Sequence, residues 1–293
     1  MNDGRRVGDA IAAVGMMVVA CALVAGTTLF AKMLGRAVEG PPIHPLQVSA
    51  GRYFFALVAL APFILWHRPS LKGTAWSSHL VRVVAGWSGV TCLFAAAALM
   101  RLADATAISF LNPIVAMLLA IPILGETVGR WRWAAAAIAL AGALILTNPG
   151  GDAFRPAALV ALTAALLIGL EVVLVKRLTN MEPPLRILAV GNFLGAVLSV
   201  AAALFVWQQP NTLQWTLLAA IGIAMVAAQA LFLQALKRGD ASFVVPLFYT
   251  TLVFAGVYDF AVFGETPTSY SLAGSALIIV GAIIIAWRER LRG

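Results

Sequence analysis

Arg101-Leu102-Ala103-Asp104-Ala105 closes one apolar run and opens the next, and Lys237-Arg238-Gly239-Asp240-Ala241 does the same in the second half of the chain. Downstream of each comes Gly-Glu-Thr, at Gly125-Glu126-Thr127 and at Gly264-Glu265-Thr266. Gly-Ala then follows inside a further apolar run, at Gly142-Ala143 and Gly281-Ala282. Lys32 ends the first run of one half, and Lys176 nearly ends the first run of the other. Each match is short. In order and at near-constant spacing, they point to a duplicated unit of five apolar runs, residues 1–150 and 151–293.

Composition says what those runs are. Of 293 residues, 62% are hydrophobic and 11% charged; mean hydropathy is +0.95. A soluble domain carries about 25% charged residues, and a chain with so few cannot cover a water-facing surface. Soluble enzymes, disordered chains and DNA-binding domains are excluded. A membrane helix needs about 20 apolar residues, so ten take about 200 and leave short connections. The expected spans are 10–35, 46–66, 80–100, 105–124, 131–147, 157–178, 185–206, 214–236, 241–263 and 268–286. Turn residues fill the gaps, as in Gly40-Pro41-Pro42 and Gln208-Gln209-Pro210-Asn211. The first run follows Arg5 and Arg6 like a signal peptide, but it is longer than a signal core of 7–15 residues.

The net charge of +8 resembles a nucleic-acid signature, yet the basic residues sort by side of the membrane. With a cytoplasmic N-terminus, most of the 20 fall inside. Lys32, Arg36, Arg101 and Arg155 fall outside, and Arg52 lies within span two. That asymmetry places both termini of a multi-pass membrane protein in the cytoplasm. All 8 tryptophans except Trp87 lie at or near span ends, as an interfacial belt requires.

Five is odd, so the second copy enters the bilayer from the opposite side. Inverted repeats of this kind recur in secondary transporters, where exchanging the conformations of two copies turns an inward-open cavity outward. The expected fold is therefore an all-α membrane protein of ten transmembrane helices in two inverted five-helix repeats. These features together resemble the drug/metabolite transporter superfamily, and within it the ten-helix EamA-type exporters. That group includes the YddG-type aromatic amino-acid exporters. The resemblance covers essentially the whole chain. It implies a central cavity lined mainly by spans three, four, eight and nine, and an exporter of small neutral or aromatic amino acids or related metabolites. A multidrug or other metabolite carrier, a lipid-modifying membrane enzyme and a channel are the alternatives.

Charges inside a bilayer are functional candidates because burying them is costly. Arg52 lies six residues from the outer end of span two, about 9 Å at 1.5 Å per residue. Glu171 lies seven residues from the inner end of span six, and Asp259 lies near the outer end of span nine. Arg52 and Asp259 share the outer leaflet, which suggests a paired outer gate. Snorkelling or a local cap pair is the alternative for each. Asn112-Pro113 and Pro246 interrupt spans four and nine. Proline frees backbone carbonyls, and in lipid these need protein or a wet cavity beside them. Either kink is a candidate hinge.

Trp87, Ser88 and Thr91 share a face of span three. Phe248 and Tyr249 sit in span nine where Asn112 and Pro113 sit in span four, and Gln229 lies deep in span eight. Aromatic walls with a few polar groups suit a planar substrate; lipid-facing or core packing is the alternative. Gly191 and Gly195 are spaced for close helix packing and are given no substrate role. Cys21 and Cys92 lie in apolar runs as small hydrophobic residues. The three histidines, His44, His67 and His79, lie near span ends, so no metal site is expected. No phosphate-binding glycine loop is present, so no cofactor is expected and nucleotide hydrolysis within this chain cannot drive transport. The expected partners are a small-molecule substrate and the lipid bilayer, with no nucleic acid, and the chain is expected to act as a monomer.

Overall fold

The computed structural model describes residues 2–36, 40–125, 133–134, 137–138, 141–142, 145, 156–179, 181–238 and 250–290. Side chains are described over a narrower set that leaves out 2–10, 236–238, 281–290 and isolated positions such as Pro113 and Lys176. Among the described residues all regular structure is helical: α1 (Asn2–Gly35), α2 (Pro45–His67), α3 (Trp76–Leu99), α4 (Leu102–Ser109), α5 (Asn112–Leu124), α6 (Pro156–Thr179), α7 (Pro184–Ala203), α8 (Thr212–Arg238), α9 (Thr250–Phe263) and α10 (Ser269–Arg290). Helices α4 and α5 are two pieces of one apolar stretch, Asp104–Ile123. Seven stretches are long and apolar enough to cross a membrane, and Thr250–Phe263 is a shorter apolar helix. Most of the expected fifth span, 131–147, and the start of the ninth lie outside the described residues.

Local chemistry sets the helix ends. Pro45 opens α2, where the ring costs no hydrogen bond, and the His44 Nδ1 accepts from the Leu46 N–H at 3.2 Å. Asn211 and Gln214 form a reciprocal capping box at the start of α8, with bonds of 2.8 and 3.0 Å. The glycines of the two Gly-Glu-Thr motifs terminate α5 and α9. Gly125 has φ +70° and Gly264 φ +66°, left-handed values that glycine adopts without a Cβ clash. The break between α4 and α5 falls at Phe110–Leu111, just before Pro113. There Asn112 Nδ2 donates to the Ser109 carbonyl at 2.7 Å, which satisfies one of the carbonyls the break releases.

Large apolar side chains face outward, and several polar ones are buried in an otherwise apolar interior. Phe205 is 91% exposed and Trp66 86%, while Lys32, Ser49 and His79 are fully buried. The interior gains density from small residues. Ala96, Ala97, Ala105, Ala107, Ala158, Ala161, Ala165 and Ala255 are buried in one cluster joining α1, α3, α4, α6 and α9, which lets backbones approach closely where no hydrophobic effect drives association. Gly35 meets Ala98, Gly51 meets Leu218 and Gly222 meets Phe55, each so closely that a Cβ on the glycine would collide.

The packing follows an exchange pattern. Helix α1 packs on α8 and α9, whereas α6 packs on α3 and on α4/α5, and α2 packs on α7.

Candidate functional site

Four charged or ionisable side chains meet where α2, α3, α6 and α7 come together. The Arg82 guanidinium donates through Nη2 to the Ile187 carbonyl at 3.3 Å and lies 3.9 Å from the Glu171 carboxylate. Arg52 stacks over the Tyr53 ring at 4.2 Å. Arg52, Arg82 and Tyr53 are buried and Glu171 is partly so. Both arginines lie within electrostatic range of Glu171 and Tyr53. Three glycines make the space: a Cβ at Gly86 would overlap the Glu171 carboxyl, one at Gly191 the Arg82 guanidinium, and one at Gly195 the Tyr53 ring. The Gly191–Gly195 spacing thus gives the close helix packing expected of it, with α7 set against the Tyr53 side chain of α2 and the Arg82 side chain of α3.

At one end of the bundle a second network closes. Lys32 Nζ lies 2.5 Å from Asp259 Oδ1 and 2.9 Å from Glu265 Oε2. Arg36 pairs with the other Glu265 oxygen and donates to the Ala98 and Met100 carbonyls at 3.0 and 3.3 Å. The Phe263 ring lies under both cations, 4.5 Å from Lys32 and 5.4 Å from Arg36. Beside it Arg101 holds Asp104 at 2.8 Å, and Ser271 donates to Asp104 at 2.5 Å. Burial raises the Glu265 carboxyl, but hydrogen bonds from Arg36 and Lys32 and their charges outweigh it and hold the group below the usual range. The expected Arg52–Asp259 pair does not form, because Asp259 is bound to Lys32.

The opposite end carries a smaller lock. Glu182, between α6 and α7, accepts the Ala75 N–H at 2.8 Å and lies 3.1 Å from His79 Nε2. A carboxylate only accepts, so Nε2 carries the proton in that bond. Ala75 precedes the first turn of α3, where free N–H groups and the helix dipole favour an anion. Burial raises this carboxyl, and the Ala75 and His79 bonds with the charges of His79 and Arg186 bring it below the usual range.

The remaining candidates are placed as follows. Trp87 is half-buried, and its indole Nε1 is buried without a hydrogen-bond partner among the described residues. Ser88 is half-buried on the same helix. Thr91 shares a 2.6 Å hydrogen bond with Ser49 of α2. Gln229 is half-buried on α8. Asn112 sits in the α4–α5 break, whose backbone packs directly on Gly169 of α6. Pro246, Phe248 and Tyr249 lie outside the described residues, as does the side chain of Pro113. Sequence reasoning missed Lys32, Arg82, His79 and Glu182 as site residues. All four stand near span ends, where a charge reads as interfacial.

Other apolar hollows open between helices toward the expected lipid face. One of about 490 Å³ is bordered by Leu57, Ile64, Trp76 and Phe193, and one of about 460 Å³ by Leu111, Leu118, Trp133 and Leu162.

Comparison with known proteins agrees with the helical membrane architecture. A sequence model described as the EamA-like transporter family matches residues 11–148 and again residues 155–287. An S-adenosylmethionine uptake transporter of Rickettsia bellii is 26% identical over 86% of this chain and 87% of its own length. A riboflavin transporter of Rhizobium johnstonii is 32% identical over 82% of this chain and 80% of its own. A pseudopaline exporter of Pseudomonas aeruginosa is 29% identical over 71% and 74%. One solved crystal structure shares the fold with a TM-score of 0.61 at 19% identity, covering 93% of this chain and 99% of that one.

Proposed function

The chain belongs to the EamA-like transporter family, and from that premise we propose that it is a secondary carrier that moves a small metabolite across the bacterial inner membrane by alternating access. Membership points to a transporter rather than an enzyme. The observation that carries the mechanism is the exchange pattern of the packing. Swapping the two halves maps α1 on α8 to α6 on α3, maps α1 on α9 to α6 on α4/α5, and leaves α2 on α7 unchanged. Two inverted repeats, 1–150 and 151–293, related by an axis through the α2–α7 contact, account for that pattern. The double match of the family model supports the same division.

Each end of the bundle is held by polar contacts that join the halves, Lys32–Asp259–Glu265 at one and His79–Glu182 at the other. We assign the first to the periplasmic side and the second to the cytoplasmic side, with both termini cytoplasmic. Opening one lock while the other holds is the step alternating access requires. The α4–α5 break at Pro113 and the proline at 246 are the assigned hinges, and Glu171 and Asp259 are the assigned coupling groups. Trp87, Ser88, Thr91, Asn112, Gln229, Phe248 and Tyr249 form the assigned substrate surface.

The related carriers are named for S-adenosylmethionine, riboflavin and pseudopaline. A small metabolite with a planar group is the class these names and Trp87 jointly favour. Aromatic amino acids, moved outward, are its simplest members, and small neutral amino acids are the companion class proposed with them. Proteoliposomes containing the purified protein should take up at least one labelled compound from a panel of amino acids, riboflavin and S-adenosylmethionine faster than empty liposomes. A panel carried no faster than by empty liposomes contradicts the assignment.

A further inference from the structure

We propose that Arg52 and Arg82 form a binding site for an oxyanion, the carboxylate or phosphate group of the transported compound. The proposal rests on the carrier reading and names the chemistry of its cargo. The cluster contains two guanidiniums and one carboxylate. Arg82 and Glu171 balance each other, although 3.9 Å is too long for a hydrogen bond between them. Arg52 has neither an ion-pair nor a hydrogen-bond partner among the described residues, and its guanidinium lies over the face of Tyr53. It is nonetheless only 7% exposed, as is Arg82, and the Nε of each is buried without an acceptor.

A guanidinium presents five N–H donors. Leaving them unfilled inside a membrane protein is costly, and the usual resolution is pairing. The cluster keeps one positive charge in excess, and the Nε donor of each guanidinium is left unfilled where α2, α3, α6 and α7 meet. A carboxylate or phosphate oxygen pair matches that fork with two parallel bonds, which an ammonium or hydroxyl cannot. A single negative charge brings the cluster to neutrality. Glu171 lies close against Gly86, and the Tyr53 ring lies close against Gly195. The arriving anion therefore completes a site whose other walls are already set. The position is also mechanistically apt, since α2 and α7 meet where the two halves join.

The test uses the purified full-length protein and three matched probe pairs. Two remove a carboxylate: phenylalanine against phenethylamine, and S-adenosylmethionine against its decarboxylated form. One adds a phosphate: riboflavin 5′-phosphate against riboflavin. Thermal stabilisation and labelled uptake are read for the wild type, R52Q and R52K. For at least one pair the wild type should favour the anionic member by more than tenfold. R52Q should abolish that preference and R52K should retain part of it. A preference in the carboxylate pairs identifies a carboxylate cargo, and one in the flavin pair a phosphate cargo. Ligand-free R52Q should melt no lower than the wild type, since it loses an unpaired buried charge. A wild type that ignores the anion or accepts none of the six probes overturns the site, as does a preference that survives in R52Q. The carrier reading is tested separately by counterflow, which does not depend on the cargo's charge.

Discussion

Lys32 Nζ sits 2.5 Å from Asp259 Oδ1, with Lys32 fully buried and Asp259 only 2% exposed. The two residues are 227 positions apart, on α1 and α9. Lys32 also serves Glu265, so losing Lys32 removes a contact from both carboxylates, whereas losing Asp259 leaves Lys32 paired with Glu265.

The first prediction follows from that inequality. Removing one partner of a buried ion pair costs about 3–5 kcal/mol, while replacing both by apolar groups is often neutral. K32M leaves Asp259 without this cation and should lower thermal stability more than D259N, which leaves Lys32 with Glu265. The double variant K32M/D259L should recover most of the stability lost in K32M, yet remain impaired in transport because the lock no longer senses either half. A double variant as unstable as K32M would show that the pair is not the source of the loss.

Glu265 and Glu182 are both held below the usual carboxylate range by partners at opposite ends of the bundle. The sign is that of a depressed acid: its contribution is complete above the unfolded pKa of about 4.3 and disappears as pH falls through the folded value. The melting temperature should be insensitive to these groups above about pH 5 and fall on further acidification. E265Q and E182Q should each melt lower than the wild type at neutral pH and show a shallower acid decline. An unchanged acid profile in both variants would mean that neither carboxylate stabilises the fold.

The glycine pair of α7 separates packing from function. Gly195 faces the rigid Tyr53 ring, so G195A should cost about 1–3 kcal/mol through overpacking. Gly191 faces the tip of Arg82, a flexible group that can withdraw. G191A should therefore fold nearly as well as the wild type but lose transport as Arg82 leaves Glu171. Equal stability losses at the two positions would return the pair to simple helix packing.

Much of this organisation is legible in the sequence, for physical reasons. Apolar runs of span length set α2, α3, α6, α7 and α8 to within a few residues, since a bilayer leaves few other folds for them. Pro113 marks the α4–α5 break because its ring cannot continue a helix. The Gly-Glu-Thr motifs locate two helix ends because glycine alone adopts that left-handed cap freely. What the sequence hides is partnership. Lys32 and Arg82 read as interfacial charges, and nothing local announces that one reaches Asp259 and the other Glu171. Gly191 and Gly195 carry the spacing of a helix contact whether a backbone or a guanidinium fills the gap.

Trp87 bears on the class of cargo. Its indole N–H is buried and, among the described residues, unpaired on a half-buried side chain. Stacking adds about 0.5–1.5 kcal/mol beyond burial. W87A should then weaken transport of aromatic compounds by more than tenfold, where about 1.4 kcal/mol is one decade. Transport of alanine or threonine should change much less. Equal losses for both classes would make Trp87 a support for α3.

Counterflow tests alternating access most directly. Proteoliposomes preloaded with an unlabelled substrate identified in the uptake panel should accumulate the labelled form transiently above its external concentration. Entry should be faster than into liposomes without preload, because a loaded carrier returns more readily than an empty one. Entry that is indifferent to the preload and never exceeds the external concentration would describe a channel and contradict the carrier mechanism.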